Sequence, residues 1–395
     1  MKLHKLAYIL TGILVFALVI SSCSPNNPQP AETASTPTVE SPPSAAPKGT
    51  AQTASITTTP PQESPSATAN LSVFPTTQIP VTWIDLNLSG KLIFTSSPTE
   101  ENTITSKIQI LDLTTGDIAT LFSMPKAWIF YTTVSPDGKW LAMSYSPPAQ
   151  ANTTSNRALY ILPLDASSPP QPLVNPPTPD DHYTQVEWSP DGKYIYFVHY
   201  NHNQSEGKVY ETYQINRMTY PNGAPEVILD HALWPRESGD ATKLAYVTLD
   251  PDSGRNELWL ANSDGSNSQQ VALTGASIPE IIDAPLFSPD GQAILFSAPS
   301  PDQAYQPNWF DKLLGIQVAE AHNDPSDWWS VPISGGTPTQ LTNIEATDLY
   351  ASLSPDKKYL ASVEEGEIFV MGLDGSNVTP ILSDPDIHGT VSWIP

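Results

Sequence analysis

Apolar runs return at intervals along the second part of the chain, and each follows a tight turn. Lys139–Tyr145, Lys193–Val198, Gln292–Ser297 and Lys358–Val363 are apolar at nearly every position. Before them stand Ser135-Pro136-Asp137-Gly138, Ser189-Pro190-Asp191-Gly192, Ser288-Pro289-Asp290-Gly291 and Ser354-Pro355-Asp356-Lys357. A strand that does not alternate between apolar and polar is covered on both faces. The turn has its own logic: proline presets φ, aspartate bonds to the following amides, and glycine supplies a positive φ. Ser89-Gly90 before Lys91–Phe94, and Ser238-Gly239-Asp240 before Lys243–Val247, are degenerate copies. A later periodic element in each repeat is a strand ending in a hairpin turn, such as Asp264-Gly265 or Asp374-Gly375. Six such units predict an all-β, six-bladed β-propeller over residues 81–395.

The ends of that domain predict closure. Val391-Ser392-Trp393-Ile394-Pro395 repeats the pattern of Val186-Glu187-Trp188-Ser189-Pro190. The C-terminal strand is therefore expected to join the blade that begins at Ser89, removing the open edges of the ring. The pattern resembles the WD40-like (PD40) repeat of the TolB-like propeller family, with Trp188-Ser189-Pro190-Asp191-Gly192-Lys193-Tyr194-Ile195-Tyr196-Phe197 the nearest match. The resemblance implies the fold, and it implies no single function, because the same repeat serves envelope proteins and the propellers of peptidases. TolB members of the family carry a separate domain ahead of the propeller. A different material occupies that place here.

Residues 1–22 read as a signal peptide, with Lys2 and Lys5 ahead of the apolar run Leu6–Ile20. Ile20-Ser21-Ser22-Cys23 resembles the bacterial lipoprotein lipobox, which implies a lipidated Cys23 at the mature N-terminus. Residues 23–80 are rich in Pro, Ser, Thr and Ala and poor in bulky apolar side chains. Such a segment cannot bury enough surface to order itself, and it is expected to be a disordered tether or a glycosylated stalk. Cys23 is the sole cysteine, so no intramolecular disulfide forms. The formal charge is −24, and no Lys/Arg cluster offers a nucleic-acid surface.

Motifs for catalysis are sparse. No G-x-S-x-G nucleophile elbow is present. His199 and His202, with His182 before them, are weak candidates for a metal site. No cofactor is expected. The most unusual segment is 298–329, expected as a partly helical insertion inside one blade. Trp309, Phe310, Leu313, Trp328 and Trp329 within it form a candidate binding surface, either a lid or an interface. A second candidate is the central channel, with Trp188, Trp234 and Trp393 near its mouth and the loops 176–185 and 201–208 at its rim. The expected function is a monomeric, lipid-anchored, non-catalytic module of the cell envelope. Its partners would be the membrane through Cys23 and an envelope protein or extracellular ligand, in the periplasm or at the cell surface. The alternative is a metal-assisted lyase or hydrolase acting in the channel.

Overall fold

The computed structural model describes residues 76–149, 156–205, 208–249, 256–275, 279, 281–299, 325–347 and 349–395. The signal peptide, Cys23 and nearly all of the tether lie outside these residues. So does 300–324, with Trp309, Phe310 and Leu313.

Six antiparallel sheets follow one another along the chain. Their innermost strands are Ile387–Ile394, Trp128–Val134, Asp181–Trp188, Ala232–Glu237, Asp283–Phe287 and Tyr350–Leu353, in blades 1 to 6. Each packs on the next, and Tyr350–Leu353 packs on Ile387–Ile394, so the ring is closed. The molecule is a six-bladed β-propeller. Closure is made by the strand the sequence points to: Ile387–Ile394 pairs antiparallel with Lys91–Ser96 in blade 1, Trp393 opposite Leu92 and Val391 opposite Phe94.

Both faces of each blade are covered by neighbours, which accounts for the unbroken apolar runs. Leu141, Ala142 and Met143 in the second strand of blade 2 are all fully buried, as are Ile195 to Val198 in blade 3. The same logic corrects the expectation for Trp328 and Trp329. They belong to the strand Ser326–Pro332, the third of blade 5, and are 0% and 3% exposed. Adjacent strand residues point to opposite faces. Trp328 enters the cluster between blades 5 and 6 and bonds Ser362 Oγ, while Trp329 enters the cluster on its other side. Neither presents a surface to a partner. The expected insertion is also shorter, because its first and last residues continue the strands Ala293–Pro299 and Ser326–Pro332.

A second fastening lies at the join of blades 6 and 1. Thr77-Gln78, ahead of the expected domain start at 81, pairs with Asp117–Pro125 at the outer edge of blade 1. Trp83, 2% exposed, donates its indole N–H to Leu113 O, and Tyr359 Oη of blade 6 donates to Leu86 O.

The turn between first and second strands is a small hydrogen-bonded unit, repeated in blades 2 to 6. The serine hydroxyl donates to the aspartate two residues on, at 2.6–2.8 Å, from Ser135 to Asp137 through Ser354 to Asp356. The same oxygen accepts the amide five residues on, from Trp140, Tyr194, Lys243, Ala293 and Tyr359. The serine therefore ties the turn to the strand, a role the sequence pattern does not announce. These donors hold the turn carboxyls below the usual range. In Asp191 the Lys193 ammonium contributes most, lowering it to about 2.

The fourth turn residue has positive φ in every copy: 69° at Gly138, 73° at Gly192 and 68° at Gly291, but also 57° at Ala241 and 60° at Lys357. A side chain there costs about 1–2 kcal/mol, partly offset by the entropy of a more flexible glycine, about 0.5–1 kcal/mol. Lys357→Gly is expected to stabilise the domain by about 0.5–1 kcal/mol in denaturant titration; an unchanged midpoint would show that the turn carries no strain. Deleting 390–395 removes most of the closing strand. Calorimetry should then show no cooperative transition at the wild-type temperature, and an unaltered melt would refute closure as the source of stability.

Candidate functional site

The innermost strands do not run straight. Pairing with the second strand slips between Ile129 and Thr132, Thr184 and Glu187, Leu233 and Arg236, and Asp283 and Leu286. In blade 1 it slips where His388 and Val391 face the consecutive residues Thr95 and Phe94. Such bulges bend a strand and re-aim its side chains. Within them Gln185, Trp234, Ala284 and Gly389 take positive φ. Neighbouring blades serve the backbone that the bulges free. The Trp234 amide donates to Gln185 Oε1 at 2.7 Å, and the Thr132 amide to Thr390 Oγ1 at 2.7 Å. In blade 1 the Trp393 amide donates to Ser352 Oγ at 3.0 Å.

Three large rings from alternate blades meet on the axis. Tyr131 of blade 2 makes edge contacts with Trp234 of blade 4 and Tyr350 of blade 6, both at 5.8 Å, and Trp234 lies 5.2 Å from Tyr350. The Trp234 indole donates to Asp283 Oδ1 at 2.9 Å, which fixes its ring. The trio makes the floor of a cavity of about 240 Å³ that extends toward the Ser-Pro-Asp-Gly turns. Gln185, Glu187, Arg236, Ser352 and Ser392 are among its walls. A wider vestibule of about 740 Å³, lined by turns of blades 4 and 5, shares Glu187, Arg236 and Ser352 with it.

The charged pair sits where the two spaces join. Arg236 Nη1 donates to Glu187 Oε1 at 2.6 Å. Burial pushes the Glu187 carboxyl up, against the pull of the guanidinium. Of the other inner-strand carboxylates, Glu237 accepts from Tyr196 Oη at 2.9 Å, but its buried Oε2 accepts nothing among the described residues and burial pushes it up, whereas Asp181 is fully engaged. Burial would raise Asp181, but hydrogen bonds from Thr178, Asn201 and His199 outweigh it and hold it low. Its partners are the Thr178 amide and hydroxyl, Asn201 Nδ2 and His199 Nε2, the last at 2.7 Å.

The histidines are separated by strand parity. His199 faces Asp181, whereas His202 lies on the opposite face of the same strand and meets Tyr200 Oη at 3.0 Å and Glu211 Oε1 at 3.1 Å. His182 accepts the Arg157 amide and stacks on Tyr200. The three therefore do not converge, and among the described residues no three His, Cys, Asp or Glu side chains do. The strand of His199 and His202 is one arm of a long hairpin, Tyr194–Ser205 with Lys208–Thr219, where a strand opening into a loop was expected. Of the tryptophans expected at the channel, Trp234 and Trp393 line the cavity. Trp188 packs between blades 2 and 3, edge-on to Tyr220 at 4.7 Å, and lines the vestibule.

No protein-family profile matches the chain. Among solved structures it is similar to TolB from Acinetobacter baumannii, at 15% identity over 78% of this chain and 67% of that one, with a TM-score of 0.53. The fold is TolB-like. A chain of the nidogen/laminin complex is also similar, at 10% identity over 76% of this chain and 97% of that one, with a TM-score of 0.50. An oligogalacturonate lyase in complex with manganese shares 13% identity over 75% and 86% of the two chains, with a TM-score of 0.43. Identities this low speak for architecture; the TolB-like propeller's site must be argued from its own residues.

Those residues make a prediction about the floor. Trp234 is 7% exposed; its ring meets blades 2 and 6 and donates to Asp283 of blade 5, and its amide donates to Gln185 of blade 3. Trp234→Ala should cost about 3–5 kcal/mol in chemical denaturation. A cost under about 1 kcal/mol would mean that the trio is not part of the packed core.

Proposed function

We propose that this protein is a lipid-anchored, extracytoplasmic TolB-like propeller that binds an envelope protein or ligand without transforming it. The commitment of Asp181 and Asp283, two buried carboxylates of the inner strands, to structural partners carries this reading. Asp181 is held by three side chains and a backbone amide, and Asp283 by Trp234 and Asn256. Neither is placed to exchange a proton with a guest. What remains is a closed-ended recess with polar walls and an aromatic floor, the form of a binding site. The lipobox-like Ile20-Ser21-Ser22-Cys23 and the Pro/Ser/Thr-rich stretch after it support anchoring at a membrane by acylated Cys23. The low density of cations and the charge of −24 fit an envelope domain kept soluble.

One observation favours the enzyme reading. Glu187 is a carboxyl shifted upward by burial inside a cavity, which is how general acids are made. A lyase or hydrolase would place its proton transfer there.

Two measurements test the proposal. Cys23→Ser is expected to abolish incorporation of labelled palmitate and to release the protein from the membrane pellet. Chemical crosslinking of the tagged, anchored protein in its own host is expected to give a discrete adduct that persists in Glu187→Gln. No adduct, together with turnover of envelope material that Glu187→Gln eliminates, would overturn the binding reading.

A further inference from the structure

The cavity on the axis has more donors to offer than its own structure consumes. Gln185 is 9% exposed and lines the cavity. Its Oε1 is spent on the Trp234 amide, and among the described residues its Nε2 donates to nothing. Arg236 gives one hydrogen bond, from Nη1 to Glu187, so Nη2 and Nε are uncommitted among the described residues. Glu187 is its own counter-charge, on the same wall. A half-buried guanidinium fork and a buried amide donor, both lining one cavity, offer spare donors to an anion that can compete with Glu187.

The rest of the cavity narrows the class. The guanidinium is already paired to one carboxylate, so it can balance a guest's charge only as Glu187 takes up a proton, which burial favours, and then only a single negative charge. A doubly charged phosphate would be poorly neutralised, the more so within a chain of net charge −24. A carboxylate is monoanionic and planar, and it matches the fork in a bidentate geometry. Below it the rings of Tyr131, Trp234 and Tyr350 form an apolar floor, suited to a flat or aliphatic group. The vestibule on the turn side gives the rest of a longer molecule a way out.

We propose that the axial cavity binds a carboxylate, whose oxygens accept from Arg236 and Gln185 Nε2 while the adjoining apolar group rests on the aromatic trio. The carboxylate belongs either to a free carboxylic acid or to the C-terminus of a peptide. Glu187 competes with it for the guanidinium and so sets the affinity. The inference rests on the binding reading above and names the chemistry of its ligand.

The test is calorimetric titration of the full-length protein in a mild non-ionic detergent. The probes are phenylacetate, acetyl-Ala-Ala-Phe with a free carboxylate, and the same peptide as its amide. At least one carboxylate is expected to bind, with the amide about tenfold or more weaker, as loss of a charge-assisted contact requires. Binding of phenylacetate alone assigns the site to free acids, and binding of the peptide carboxylate alone assigns it to chain ends. Arg236→Met is expected to lose about tenfold or more. Because that change strands Glu187, the double variant Glu187→Gln/Arg236→Met is measured beside it, and each variant's melt is recorded. The decisive variant is Glu187→Gln alone, which frees the guanidinium and should tighten carboxylate binding several-fold. A purely structural role for the pair would weaken binding in every variant. Carboxylates indistinguishable from the amide, or Glu187→Gln binding no tighter than wild type, would overturn the inference. If that happens while the crosslinked adduct persists, the ligand class falls and the binding reading stands.

Discussion

A blade of this propeller buries side chains on both faces, and neither face is covered unless the blades on each side are present. Every apolar contact between blades therefore depends on the ring being complete. The pairing of Ile387–Ile394 with Lys91–Ser96 is what completes it, joining residues about as far apart as the chain allows. Bringing such distant segments together is entropically costly, and the cost rises slowly with loop length. It is repaid at many joints at once. Phe94, Val391 and Trp393 sit in a cluster that also holds residues of blades 4, 5 and 6. The segment through Trp83 adds a second tie beside the same joint, which suits the one place where the ring is made from both ends of a chain segment.

Closure also dictates the site. Six inner strands converging on an axis would leave an open tube if each kept regular pairing. The bulges break that regularity at nearly the same level in five blades, and amides at the bulges are taken up across blade boundaries by Gln185 and Thr390. Backbone irregularity and blade-to-blade fastening are thus one device. It turns Tyr131 and Trp234 inward to meet Tyr350, and the tube becomes a recess with a floor. Positive φ at Trp234, a bulky aromatic, is a conformation that only a surrounding structure can enforce.

Much of the architecture was legible because it is local. The Ser-Pro-Asp-Gly turns and the apolar second strands repeat in sequence, and a turn specifies itself through its own side chains. The closing strand was readable as a fragment of the same repeat. The site was not legible to the same degree. Gln185, Arg236 and Tyr350 lie in inner strands with no motif, and their meeting depends on the ring rather than on spacing. Two signals were present and missed. His199 and His202 are an odd number apart in a strand, which puts them on opposite faces and argues against a shared ion. Adjacent tryptophans at 328 and 329 stand in a fold whose strands are covered on both sides, so the pair marks core rather than an adhesive surface. In blade 4 the turn keeps its function without its proline, because Ser238 and Asp240 carry the hydrogen bonds while Ala241 bears the strained φ.

The Glu187–Arg236 pair is the part of the axis that stability does not account for. The two side chains are partly exposed to the cavity, so solvent screens their attraction, and apolar residues could pack the same joint. The joints of blade 1 with blades 2 and 6 are made by hydroxyls and amides, between Thr132 and Thr390 and between Ser352 and the Trp393 amide, without a charged side chain. Blades 3 and 4 already share a joint of that kind, the Trp234 amide on Gln185 Oε1. The pair places a guanidinium with spare donors beside the cavity, and holds it there with a carboxylate that burial makes easier to protonate.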